Sequence, residues 1–223
     1  MAETLTPTIE DYLGLIYLLE REGQVVIGAR LARRLGVSRP TVTATLQRMV
    51  RSGLVRMNER KEVSLTPSGQ ELAENLLRRH MLAEWLLRDL VGLPWHQVHE
   101  EADRLEHHFS EQAVERLEAI FQREACPHGN PMPGAETVQS IPLLEAGEGE
   151  EVVIVRISEE AEEKRELMAF LEANGLLPGT HLRISSLRPY NETVTVEVAG
   201  RPVVLGWAVA RFIRVRREGD VAG

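Results

Sequence analysis

The stretch ARLARRLGVSRPTVTATLQRMVRSG, residues 29–53, decides the fold of the first part of the chain. Two helical patterns meet at Gly36, with Ala32, Leu35 and Val37 pointing inward on one side of the break and Val42, Leu46 and Met49 on the other. Ser38 is the expected N-cap of the second helix, and Pro40 sits in its first turn, where a missing N–H does no harm. This is helix-turn-helix spacing. Upstream, Ile9, Tyr12, Leu13, Ile16, Tyr17 and Leu19 recur at helical intervals and predict a helix over 8–22, stopped by Gly23 and followed by a short strand at 24–27. Downstream, LVRMNERKEVSLT alternates apolar and polar residues around a polar tip at 58–61, the pattern of a β-hairpin wing. The expected unit is a winged helix-turn-helix.

The net charge of −8 would argue against nucleic acid if it were uniform, but it is not. Between Gly28 and Lys61 stand nine Arg or Lys and one acid, Glu59. So dense a basic bias on this motif points to double-stranded DNA. The first residues of a second helix reach base edges in the major groove, which nominates Ser38, Arg39, Pro40, Thr41, Thr43 and Ala44. Arg39 suits a guanine edge, and Pro40 and Thr41 suit thymine methyl groups. Arg30, Arg48, Arg51, Arg60 and Lys61 are expected on phosphates.

At 223 residues the chain has room for two or three modules. Apolar runs fall short of a bilayer span, and the opening MAETLTPTIEDY carries acids where a secretory signal would be basic, so a cytoplasmic protein without a membrane partner is expected. One cysteine, Cys126, excludes an intramolecular disulfide or a multi-cysteine zinc site and is expected to carry no role. Residues 67–123 read as helices at 68–90, 95–108 and 110–122, broken at Gly92-Leu93-Pro94. CPHGNPMPG, 126–134, is expected to open an extended linker. Beyond it, β-like runs at 151–157, 181–187, 193–198 and 212–216 with one helix at 161–174 predict a small β-barrel. The fold class expected is mainly α with small β: DNA-binding domain 1–72, helical domain 73–134, linker 135–147 and C-terminal domain 148–223.

Five of seven histidines lie between His80 and His108. At helical pitch His99, Asp103, Glu106 and His107 share one arc beside the apolar stripe Val98, Ala102, Leu105 and Phe109. His80 and Glu84 form an i,i+4 pair near Leu82, Trp85 and Leu86, and Asp11 lies on the first helix. A single such pair commonly occupies a solvated face, but two helices with mixed imidazole and carboxylate donors point to Mn²⁺, Fe²⁺, Zn²⁺ or Co²⁺. His108 falls on the opposite face, and spacing gives His96 and His128 no ligand role. A carboxylate-bridged di-metal oxidase is the rival of another class. It needs Glu-x-x-His motifs, yet three residues before His80 and His107 stand Leu77 and Arg104, so no enzyme is expected.

TIEDYLGLIYLLE, VSRPTVTATLQRMVRSGLV, LTPSGQELAENLLRRHMLAEWLL, GLPWHQVHEEADRLEHHFSE and HGNPMPG together resemble the diphtheria-toxin-repressor family of iron- and manganese-dependent regulators. Residues 148–217 resemble that family's SH3-like third domain, through strand pattern and VRISEEAEEKRELMAFLEANGLLPG. The resemblance implies a homodimer that binds palindromic operator DNA when loaded with metal, dimerising around Trp85, Leu86, Leu90, Leu93 and Trp95. It places the primary metal site on Asp11, Asp103, Glu106 and His107, so that one ion joins the first helix to the helical domain. The ancillary site falls on His80, Glu84 and His99, with Glu159 and Glu162 arriving from the third domain. Iron-type members carry sulfur where this chain has Asp11 and Asp103, and short manganese-type members carry a further glutamate where it has Gly14. Hard carboxylates in place of sulfur favour Mn²⁺, with Fe²⁺ as the alternative.

Overall fold

A computed structural model describes residues 6–218. The chain forms two compact units, Met1–Arg79 and His80–Gly223.

In the first unit, α1 (Pro7–Arg21), α2 (Gly28–Arg34) and α3 (Arg39–Arg51) enclose a core with Tyr12, Leu13, Ile16, Leu31, Val42, Leu46 and Met49. Apart from Leu31, these are residues whose spacing predicts the helices, whereas Val37, expected inward, is exposed. Gly36 takes φ +65°, the left-handed turn that separates α2 from α3, and the Ser38 hydroxyl accepts from the Thr41 N–H at 3.3 Å as the N-cap. The wing is the hairpin β2 (Val55–Met57) and β3 (Glu62–Leu65), in the register Val55↔Leu65 and Met57↔Val63. The Asn58 side-chain oxygen closes its turn by accepting from the backbone N–H of Arg60 and Glu62. The expected strand at 24–27 shortens to β1 (Val26–Ile27), which pairs with β3 and makes a three-stranded sheet.

Farther along, α4 (Pro67–Trp85) passes into a π-helical turn, Leu86–Val91, that ends at Gly92 with φ +80°. A 3₁₀ turn at Trp95–Gln97 leads into α5 (Val98–Leu105), a second 3₁₀ turn covers Glu106–His108, and α6 (Glu111–Phe121) follows, capped by Ser110. The C-terminal strands are β4 (Ile141–Pro142), β5 (Glu151–Ile157), β6 (His181–Arg188), β7 (Thr193–Val198), β8 (Arg201–Gly206) and β9 (Ile213–Arg217). They pair antiparallel in the order β4-β9-β5-β6-β7-β8 over a core with Leu143, Ile154, Ile157, Met168, Ile184 and Val196.

Three expectations change. The β-barrel is an open sheet: among the described residues no pairing joins β8 to β4, because β4 has only two residues and Pro142 offers no N–H to a further ladder. Strand β8 escaped the sequence pattern because Pro202 interrupts it, a residue an edge strand tolerates. The helix expected at 161–174 breaks at Lys164 into α7 (Glu159–Glu162) and α8 (Arg165–Ala173). The segment beginning at Cys126 is no extended linker either. Cys126, His128 and Asn130 are buried, the Ile157 N–H donates to the His128 carbonyl, and the Asn130 amide donates to the Ile157 carbonyl. Gly129, at φ +85°, passes so close to β5 that an added Cβ would lie 2.2 Å from the Val155 oxygen. Residues that end a helix also make a tight turn, and this turn is buried because its backbone groups find partners on β5.

Candidate metal centre and nucleic-acid interface

Three imidazoles and four carboxylates from five stretches of the second unit converge. His80 and Glu84 come from α4, His99 and Asp103 from α5, Glu106 from the 3₁₀ turn after it, His128 from the buried turn and Glu162 from α7. The His80 ring faces two ways. Its Nδ1 lies 2.7 Å from Glu106 Oε2 and 3.2 Å from Asp103 Oδ1, while its Nε2 lies 3.2 Å from Glu84 Oε1 and 3.0 Å from His99 Nδ1. His99 Nδ1 also approaches Glu84 Oε1 at 3.3 Å and Glu162 Oε2 at 3.1 Å. His128 Nδ1 sits 3.2 Å from the same Glu84 oxygen and 3.6 Å from Glu162 Oε2.

Most of these groups are buried, Asp103 being exposed and His99 partly so, and their electrostatics are strong. Glu84 is 0% exposed; burial opposes its ionisation, but His128 and His80 outweigh that and hold the carboxyl well below the usual range. Burial likewise opposes charge on His80, and Asp103, Glu106 and Glu84 hold it well above the usual imidazole range. For His99 burial again opposes the charge, while Glu162 and Glu84 raise the pKa to about 10. In His128 burial is outweighed by Glu162 and Glu84, and the pKa rises. Metal-free, the cluster is a buried network of ion pairs.

One oxygen stands outside that network: Glu84 Oε2 is buried without a hydrogen-bond partner among the described residues. The donor atoms of His80, Glu84, His99 and Glu162 lie within 4.8 Å of one another, as do those of His80, Asp103 and Glu106 and those of Glu84, Cys126 and His128. Nitrogen and oxygen donors this close, with an unsatisfied carboxylate oxygen among them, fit a divalent cation.

The expected ligands are thus partly assembled. His80, Glu84, His99 and Glu162 share one cluster, and Asp103 and Glu106 share another through His80. His107 places Nε2 3.5 Å from Glu106 Oε1. Because α5 ends at Leu105, Glu106 and His107 ride on a 3₁₀ turn, yet His99, Asp103 and Glu106 all still meet the His80 ring. Glu159 is buried on α7 outside the three clusters, and Asp11 is exposed on α1 of the first unit.

Cys126 and His128, to which spacing assigns no ligand role, stand with Glu84 in the third of these clusters. The His128 N–H donates to Cys126 Sγ at 3.3 Å, and Nε2 lies 3.3 Å from the Trp95 carbonyl, turning Nδ1 toward Glu84 and Glu162. Burial, with Glu84 and Glu162 nearby, pushes the thiol well above its usual pKa and keeps it protonated. The signal was Cys-x-His within a Pro- and Gly-rich stretch, which reads as a breaker until its burial is known.

On the first unit, Ser38, Arg39, Pro40, Thr41 and Thr43 are exposed along the start of α3, as are Arg48 and Arg51 at its end and Arg60 and Lys61 at the wing tip. The Ser38 and Thr41 hydroxyls lie 2.8 Å apart, and the Thr43 hydroxyl donates to the Arg39 carbonyl. Arg30 is half-buried, its guanidinium on the Val25 carbonyl. Among the described residues no helix is long and apolar enough to cross a membrane.

Three family models match. Residues 4–63 fit the iron dependent repressor N-terminal DNA binding domain, 66–134 the iron dependent repressor metal binding and dimerisation domain, and 141–217 the FeoA domain. The iron-dependent repressor IdeR of Mycobacterium leprae is 34% identical over 96% of this chain and 98% of its own length. The crystal structure of T. acidophilum IdeR is 32% identical with a TM-score of 0.77, covering 97% of this chain and 100% of that one. A manganese-dependent transcriptional repressor in complex with manganese superposes at a TM-score of 0.85 with 29% identity, over 94% of this chain and 99% of that one.

Proposed function

The chain belongs to the iron-dependent repressor family of metal-dependent, DNA-binding transcriptional regulators, and from that premise we propose that it answers to Mn²⁺. The observation that carries this reading is the donor set: buried His80, Glu84 and Glu162 with partly buried His99, and Asp103 and Glu106 reached through His80. Such donors suit Mn²⁺, and the one sulfur nearby is a thiol held in its protonated form. A bound divalent cation supplies positive charge among these carboxylates. The resemblance adds Asp11 and His107 to the primary set and Glu159 to the ancillary one. The likeness to a manganese-dependent repressor supports the same choice.

The protein acts as a homodimer on a palindromic operator. Arg39, with Pro40 and Thr41, reads base edges from the start of α3. Ser38 and Thr43 steady that turn through hydrogen bonds, while Arg48, Arg51, Arg60 and Lys61 hold phosphates. Arg30 is the weakest of the phosphate candidates, since its guanidinium already serves Val25. Metal favours the dimer in which two recognition helices stand about one helical turn, ~34 Å, apart on DNA. Iron is the rival effector. Operator affinity titrated separately with Mn²⁺ and anaerobic Fe²⁺ at one salt concentration tests the choice. Activation at lower free Mn²⁺ than free Fe²⁺ is expected, and the reverse order overturns it.

A further inference from the structure

The helical segment that carries His99 and Asp103 begins at Pro94, which offers no side-chain oxygen to cap it. Its first free N–H groups are nonetheless satisfied. The Trp95 N–H donates to Glu172 Oε1 at 3.0 Å and the His96 N–H to Glu172 Oε2 at 3.3 Å, and the His96 ring pairs with the same carboxylate. Glu172 lies 77 residues after Trp95, on α8 of the C-terminal sheet domain. A local N-cap residue does this work in most helices; here a distant domain does it.

The placement of Glu172 is informative. It occupies the last turn of α8, where the helix dipole disfavours a negative charge, and it meets the start of the segment leading into α5, where the dipole favours one. Local propensity at FLEANG would choose another residue. The joint extends to Trp95, which is 3% exposed, packs in the core of the sheet domain and donates its indole N–H to the Pro127 carbonyl at 2.9 Å. The Trp95 carbonyl accepts from His128 Nε2 at 3.3 Å, and the two rings stand 4.7 Å apart. His99 follows Trp95 by one helical turn.

We infer that Glu172 is a positioning residue of the metal centre: by capping the Trp95–Gln97 turn from the sheet domain it fixes α5, and with it His99, against Glu162. The C-terminal domain therefore acts on metal affinity by a second route, separate from any ligand it donates. A metal ligand is only as well placed as the groups that orient it, and loss of such support commonly costs about 10–100-fold in affinity.

This inference rests on the metal-centre reading, and calorimetric Mn²⁺ titration of the full-length protein separates the two. Wild type is expected to lose one equivalent in His99→Ala; if that equivalent does not exist, the metal-centre reading itself fails. Given that equivalent, Glu172→Ala should weaken it by about tenfold or more in protein whose circular dichroism is native. His96→Ala, which leaves both backbone caps in place, should bind as wild type. Should the alanine variant not fold, Glu172→Gln, which keeps the size and one acceptor oxygen, is expected to lose several-fold. Native affinity in the Glu172 variant that folds, even with a lowered melting temperature, would reduce the residue to a structural contact and overturn the inference. An equal loss in His96→Ala would assign the effect to the ion pair and overturn the capping.

Discussion

The two units handle charge in opposite ways. The first keeps its cations outside: Arg39, Arg48, Arg51, Arg60 and Lys61 are exposed above a core that contains Leu13, Ile16, Leu31 and Met49. The second takes charge inside, where Glu84, Glu106, Glu162, His80 and His128 are all buried. Exposed charges address a partner through solvent and can change singly without disturbing the fold. Buried charges depend on one another, so the metal-binding role proposed for the second unit and its stability share the same atoms.

The largest effect expected from this contrast is on stability. Glu84→Ala removes the carboxylate oxygen that nitrogens of His80, His99 and His128 share, and removing one partner of a buried pair costs about 3–5 kcal/mol. Arg51→Ala, by contrast, should stay within about 0.5 kcal/mol of wild type and flatten the salt dependence of DNA binding. Urea denaturation of the two metal-free variants makes the comparison; similar midpoints would mean that the buried network contributes no more than a surface residue.

A smaller effect follows from protons. His99 has a folded-state pKa of about 10 against an ordinary 6.5, so its charged form stabilises the metal-free fold below pH 6.5, and that contribution is lost as pH rises through 10. Metal requires the neutral imidazole. Hence, from pH 6.5 toward 10, the metal-free melting temperature should fall while Mn²⁺ affinity rises, and calorimetry at pH 7 in buffers of different ionisation enthalpy should show protons released on binding. Proton-free binding at pH 7 would place the metal elsewhere.

The same contrast explains what the sequence made legible. Ser38, Gly36 and the apolar spacing of α3 act on neighbours within one or two turns, so local pattern predicts the winged fold. His80 and Glu84 were visible as an i,i+4 pair. That Glu162 meets His99 across 63 positions rested on resemblance alone. Cys126 and His128 stayed hidden because Pro and Gly around them signal a breaker, and only the seating of Gly129 against β5 shows that the turn is buried. That the sheet stays open was hidden for a similar reason, since alternation marks a strand but says nothing of which edge it reaches.

In the proposed function the buried cluster and the exposed recognition helix belong to one equilibrium. Linkage makes the claim measurable, because a metal that strengthens operator binding must itself bind more tightly when operator is present, by the same factor. The direct measurement is Mn²⁺ affinity of the full-length protein with and without saturating operator DNA, at one pH and one salt concentration. Tighter binding on DNA is expected, by about 5–150-fold, matching the factor by which Mn²⁺ raises DNA affinity. Mn²⁺ affinity unchanged by operator would contradict it.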